Sequence, residues 1–303
     1  MKARLVLLAL RITSWLPLPA SRALGRGLGR VLWWTGSSPR RVTERNIALA
    51  FPGLDEQQRH RLARRSLQAT GELALEMGFV WHRPWEEVRR TIVEVRGEAP
   101  ILAARERGRG VVMLGPHLGN WEVAGLYIAA WGDALALYEP PHMQELEEIV
   151  RHARERSGTR LVPTDARGLA TLVRTLRRGG ITGILPDQVP PVEEAGANSE
   201  FMGLPAFTMT FASKLLARSG AAAFFGFAER VPGGFRLQFF PAEDELYSDN
   251  MAVSLAALNR GVEACLRHCP EQYQWEYKRF RTRPRGDVDY YARDWRPAPV
   301  KEE

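Results

Sequence analysis

Long apolar runs, cysteine and lysine are what this 303-residue chain has least of. No stretch reaches the roughly 20 uninterrupted apolar residues that a confident membrane span requires, which excludes a polytopic channel or transporter. With 45% hydrophobic and 25% charged residues, the chain is not disordered, collagenous or coiled-coil either. Cys265 and Cys269 are the two cysteines, four residues apart in a helical pattern with His268 between them. Zinc normally takes four ligands and a closing pair, so burial is the better reading of these thiols, and their scarcity points to a reducing compartment. Lysine is outnumbered by arginine 38 to 4, a bias that genome composition alone produces in many proteins. A Gly-x-Ser-x-Gly elbow is missing, and so are helix-turn-helix, zinc and stacking-sheet motifs. The first absence argues against a serine hydrolase and the second against a nucleic-acid partner.

What is present begins with an uneven charge. Residues 1–66 carry a net +10 and the rest −3, so the basicity belongs to the N-terminus. The apolar run 5–10 is broken by Arg11 and resumes at 12–16 before Pro17 and Pro19. Arg4 and Arg11 fall on one helical face, and Leu5, Leu8, Ile12 and Trp15 on another. This pattern predicts an amphipathic helix at a lipid surface, with a short tilted span as the alternative; Ala20-Ser21 is a poor cleavage site for a secretory signal. A second segment, 24–34, ends in Trp33-Trp34, a pair suited to a water–lipid boundary. Its glycines follow no strand, so a nucleotide-binding loop is not expected there.

Residues 1–35 are therefore expected to be a membrane-associating segment, 36–92 a helical lead-in and 93–290 an α/β catalytic core. The lead-in turns at Phe51-Pro52-Gly53 and restarts at an N-cap, Asp55. In the core, apolar runs at 110–114, 134–138, 160–162, 181–185, 221–228 and 235–240 read as strands. The segments 120–130, 143–157, 167–178 and 208–219 read as helices between them. Such alternation predicts a mixed sheet flanked by helices. The stretch from Gln188 through 192–200 reads as a mobile loop.

Chemistry in open α/β sheets lies beyond the carboxyl ends of the strands. There, after strand 110–114, comes Gly115-Pro116-His117-Leu118-Gly119-Asn120-Trp121-Glu122. His117 and Glu122 meet only if His117 lies in the loop and Glu122 in the first turn of a helix capped by Asn120. A loop histidine oriented by Glu122 is a general base, with its second nitrogen free to take a proton from a substrate hydroxyl.

His-x4-Glu after a strand resembles the motif of the bacterial lipid A biosynthesis acyltransferases, distant relatives of the glycerolipid acyltransferases. The likeness continues through Arg45-Asn46 to Phe51-Pro52, Leu137-Tyr138-Glu139-Pro140-Pro141, Arg154-Glu155-Arg156-Ser157-Gly158 and Leu185-Pro186-Asp187-Gln188. It then runs through Phe201 to Thr208, Pro270 to Trp275, Arg279-Phe280 and Arg283-Pro284, in the family's order. The resemblance implies transfer of a fatty acyl group from an acyl carrier protein thioester to a hydroxyl of a Kdo-bearing lipid A precursor. It further implies work at the cytoplasmic face of the bacterial inner membrane, without metal or nucleotide cofactor. His117 and Glu122 would be catalytic, and Asn120, Arg154, Arg156, Asp187 and Gln188 would bind substrate. Acceptors of other glycolipid or aminolipid type, and a non-catalytic lipid-binding protein, are the alternatives.

Overall fold

The computed structural model describes residues 2–140, 144–282 and 288–296. Four helices open the chain: α1 (Lys2–Trp15), α2 (Leu18–Trp34), α3 (Ser38–Ala50) and α4 (Glu56–His82). Pro17 separates the first two, because a proline tolerates only the start of a helix. Ser37 caps α3 by accepting from the Arg40 N–H, and Asp55 with Gln58 forms a reciprocal capping box on α4. α2 lies on α4 almost backbone to backbone. A side chain at Gly25 or Gly29 would run into the main chain of α4 at Gly71-Glu72 and Leu67-Gln68. α1 packs on the same helix at Gly78. Among the described residues no helix is long and apolar enough to cross a membrane.

The α/β part follows as α5 (Trp85–Arg89), β1 (Ile92–Arg96), α6 (Ala99–Glu106), β2 (Val111–Leu114), α7 (Trp121–Ala129) and β3 (Leu135–Tyr138). It continues with α8 (Glu147–Glu155), β4 (Arg160–Pro163), α9 (Ala166–Arg177), β5 (Ile181–Ile184), β6 (Gly196–Phe201) and β7 (Leu204–Met209). The last elements are α10 (Phe211–Ser219), β8 (Ala222–Val231), β9 (Gly234–Pro241) and α11 (Met251–Leu266). The central sheet has the order β1-β9-β8-β2-β5 and is mixed: β8, β2 and β5 run parallel, and β9 opposes β8. β2 is wholly buried. Its Val111 and Met113 pack among residues of α6 and α7, and its Val112 and Leu114 among residues of α9, α10 and α11. Helices thus cover both faces, as the strand and helix alternation predicts.

β3 and β4 form a parallel pair of their own. They touch the main sheet at one bridge, Ala134 to Ile181, beyond which β3 and β5 are no longer paired. The sheet is split along that line.

Three expectations need correction. β1 was not expected at all, since its alternating I-V-E-V-R pattern is short and half-exposed. The stretch 192–200 is not simply a loop: β6 pairs with β7 from Gly196↔Met209 to Phe201↔Leu204. Because β7 occupies 204–209, the helix expected at 208–219 begins only at Phe211. That two-stranded ribbon draws on cross-strand hydrogen bonds more than on hydrophobic period, and its Pro205 suits a ribbon without inner strands. Met143, where the next helix was expected to start, lies outside the described residues, as do Pro141 and Arg283-Pro284.

Candidate active site

The loop after β2 owes its path to Gly119. It has a φ of +62° and presses on the carbonyl of Ala228, so any side chain there would meet backbone. Asn120 then caps α7, its Oδ1 accepting from the Val123 N–H at 3.2 Å. The loop is pinned from the far end of the chain as well: the Gln274 N–H donates to the His117 carbonyl, and Leu118 bridges to Tyr273.

His117 therefore sits in the loop and Glu122 in the first turn of α7, as the spacing requires, yet the two are not partners. The ring Nδ1 of His117 lies 2.8 Å from Oδ1 of Asp187, and its backbone N–H donates to Asp187 Oδ2 at 2.9 Å. Asp187 is brought there because β2 and β5 are parallel and end together, Leu114 beside Ile184. Burial would raise this carboxyl, but the charge and hydrogen bonds of His117 outweigh it and hold Asp187 below its ordinary range. A carboxylate only accepts, so Nδ1 carries the proton and Nε2 is the basic nitrogen. The edge of Trp121 packs against the imidazole, with ring centres 4.8 Å apart. Tyr273 is buried nearby, and burial, with the Asp187 charge, raises its phenol well above the usual value.

Glu122 is engaged elsewhere. Arg154 of α8 grips it with two nitrogens, Nη2 to Oε1 at 2.6 Å and Nε to Oε2 at 3.3 Å. Desolvation alone would weaken the Arg154 charge, but Glu122 more than restores it. The expected Glu122–His117 contact is thus replaced by two pairs, His117–Asp187 and Arg154–Glu122, at the same edge of the sheet.

The remaining expected substrate ligands divide. Arg156 donates to the carbonyls of Val80 and Trp81, closing the end of α4. Asn120 is fully buried and gives its amide to Glu76 at 3.0 Å. Glu76 in turn accepts from Arg22 at 2.6 Å and Arg230 at 2.8 Å, a buried network absent from the sequence reading. Its sign in the sequence is a carboxylate inside the apolar stretch 73–80, where an unpaired charge would be costly. Gln188 donates to Gln274 at 3.1 Å. The Tyr273–Phe280 block turns inward, with Trp275, Arg279 and Phe280 all buried. Cys265 and Cys269 are buried free thiols, and no group of three metal-ligating side chains occurs among the described residues.

Beside the two pairs opens a cavity of about 520 Å³, within the range of small-molecule sites. Glu122, Arg154 and Glu139 are its charged lining residues, and its walls are largely apolar, with Ile128, Leu135, Leu172 and Ile184 among them. α7 and α9 both contribute, so the cavity occupies the split between β3 and β5 and reaches both faces of the sheet. At its far end lie Ala134 and Ile181, where the two strands close on each other.

Comparison with known proteins places nearly the whole chain in one family. The family model described as bacterial lipid A biosynthesis acyltransferase matches residues 2–282. The chain is similar to the lipid A biosynthesis lauroyltransferase of Escherichia coli (strain K12), 27% identical over 91% of this chain and 90% of the relative. It is also similar to that organism's lipid A biosynthesis palmitoleoyltransferase, 26% identical over 91% and 90% of the two chains. The myristoyltransferase of the same organism is 24% identical over 91% of this chain and 84% of its own.

Proposed function

The chain belongs to the bacterial lipid A biosynthesis acyltransferases, and from that membership we propose that it moves a fatty acyl group from an acyl carrier protein thioester to a hydroxyl of a Kdo-bearing lipid A precursor. Nε2 of His117 takes the proton of the acceptor hydroxyl as its oxygen attacks the thioester carbonyl. Asp187 holds the proton on Nδ1 and stabilises the imidazolium that forms. The tetrahedral oxyanion is met by the Arg154 guanidinium, kept charged and oriented by Glu122. Collapse expels the carrier thiolate, which receives the proton from Nε2, leaving an ester and a free thiol. The acyl chain lies in the apolar cavity. An acceptor bearing phosphates suits the basic residues 1–66, whose exposed apolar helix faces on α1 and α2 rest on the cytoplasmic leaflet of the inner membrane.

One observation carries this reading: a buried His–Asp pair stands beside a largely apolar cavity whose charged lining includes a charge-paired arginine. The experiment mixes detergent-solubilised protein with acyl carrier protein loaded with fatty acids of several lengths and a tetra-acylated Kdo-lipid A precursor, and reads the lipids by mass spectrometry. A single added acyl mass that falls by about 10²–10⁴-fold in His117→Ala and Asp187→Asn is expected. Transfer to a different lipid would retain the chemistry and replace the acceptor. If no lipid changes with any donor, the proposal is wrong. The relatives are named for lauroyl, palmitoleoyl and myristoyl transfer, so family membership leaves the chain length to residues of each protein.

A further inference from the structure

We propose that Gly125 on α7 and Gly183 on β5 set the length of the acyl chain transferred, by keeping open the bore of the cavity between helix and strand; the inference rests on the acyl-transfer reading of the site. Trp121, Glu122, Gly125, Ile128 and Ala129 form one stripe of α7, at i, i+1, i+4, i+7 and i+8, and all five line the cavity. Glycine is a poor choice for the middle of a nine-residue helix and of a strand, so both positions need a reason beyond secondary structure.

That reason is space. A methyl built at Gly125 meets nothing within 4 Å. Gly125 is exposed although Glu122, Ile128 and Ala129 on its stripe are buried, so its accessible surface is cavity wall. Gly183 is likewise exposed between neighbours that are more buried, and a methyl there would approach only Ile128 Cδ1, at 3.6 Å. The side chain one turn beyond Gly125 on α7 therefore lies across from Gly183, and the two glycines flank the same stretch of bore. Neither is held in a positive-φ conformation that would demand glycine.

The bore has a direction and a scale. It starts at the Glu122–Arg154 pair, where the thioester would sit, and ends where Ala134 meets Ile181. Along α7, Ala129 lies about 10 Å beyond Glu122 and Gly125 only about 4–5 Å beyond it, at about 1.5 Å per residue. A side chain placed at Gly125 thus cuts the cavity much nearer the reacting carbonyl than one enlarged at Ala129. A misfit of one methylene in an apolar pocket changes selectivity by about 10–200-fold.

The test is a competition among acyl carrier proteins carrying C8 to C16 chains, run on wild type, Gly125→Ala, Gly125→Leu, Gly183→Val and Ala129→Leu, with the product esters resolved by mass spectrometry. The expected result is a shift toward shorter chains of at least 10-fold per methylene lost, small for Gly125→Ala, largest for Gly125→Leu and confined to the longest donors for Ala129→Leu. Gly125→Ala should melt at or above the wild-type temperature, which separates chain selection from folding. Unchanged product ratios, or an equal fall for every donor, would overturn the proposal. Calorimetric titration of the same proteins with C8 to C16 fatty acids reads the cut-off without turnover. A wild type that transfers nothing therefore counts against acyl transfer, while a fatty-acid cut-off unmoved by Gly125→Leu counts against the glycines.

Discussion

At the scale of single residues, the site divides four ionisable side chains into two pairs with different tasks. Asp187 is ionised in the fold more readily than in the unfolded chain, because the gain from His117 exceeds the cost of burial. A carboxyl lowered in this way stabilises the fold fully above its unfolded value of about 3.9, and that stabilisation disappears as pH falls through the lower folded value. The melting-temperature gap between wild type and Asp187→Asn is accordingly expected to be widest near neutrality and to close below about pH 4. Thermal melts from pH 7 to pH 3 check it, and a constant gap would contradict the pairing. Arg154→Ala removes the bidentate partner of a carboxylate that is only 6% exposed. The cost is expected to be about 1–3 kcal/mol of stability, recovered largely by adding Glu122→Gln, while activity stays lost in both. Denaturant titration beside the acyltransfer assay distinguishes these two effects.

At the scale of elements, the helices α2 and α4 act as one block. Their contact is glycine on backbone at Gly25, Gly29 and Gly71, closer than any side chain allows. Gly29→Val is expected to cost about 1–3 kcal/mol, or to prevent folding, because the interface must part to admit it. Gly27, on the open side of the same helix, has nothing within 4 Å of an added methyl, so Gly27→Ala should stabilise slightly. Chemical denaturation of the two variants measures this contrast. The block also reaches the site: Arg22 of α2 and Arg230 of β8 hold Glu76 of α4, which holds the Asn120 cap of α7.

At the scale of the whole molecule, apolar exposure is concentrated at one end. Eight of the fourteen exposed large hydrophobic residues among the described residues lie on α1 and α2: Val6, Leu8, Ile12, Trp15, Leu24, Leu28, Val31 and Trp34. Because α2 packs backbone to backbone on α4, this face is linked through Glu76 and Asn120 to the loop that carries His117. Burying a leucine in lipid contributes about 1.5–3 kcal/mol, so Leu24→Glu with Leu28→Glu should weaken binding to anionic vesicles by at least about 10-fold. Sedimentation with vesicles reads that loss, and an unchanged melting temperature shows that the fold survives. Retained sedimentation would move the membrane face elsewhere.

The sequence by itself determined the alternation that makes an α/β sheet, the cap at Asn120, the placement of His117 in a loop and the ordered motifs that identify the family. These are local matters of periodicity, capping and spacing along the chain. It did not determine which carboxylate meets His117. Glu122 is five residues away and Asp187 seventy, and only the parallel register of β2 and β5 brings the distant one within 2.8 Å. Arg154 and Arg156 are two residues apart with like surroundings in the sequence, yet the packing of α8 sends one to Glu122 and the other to the carbonyls of α4. The cavity was also out of reach, because it arises where two strands fail to pair, and a missing pairing leaves no mark on either strand's own pattern.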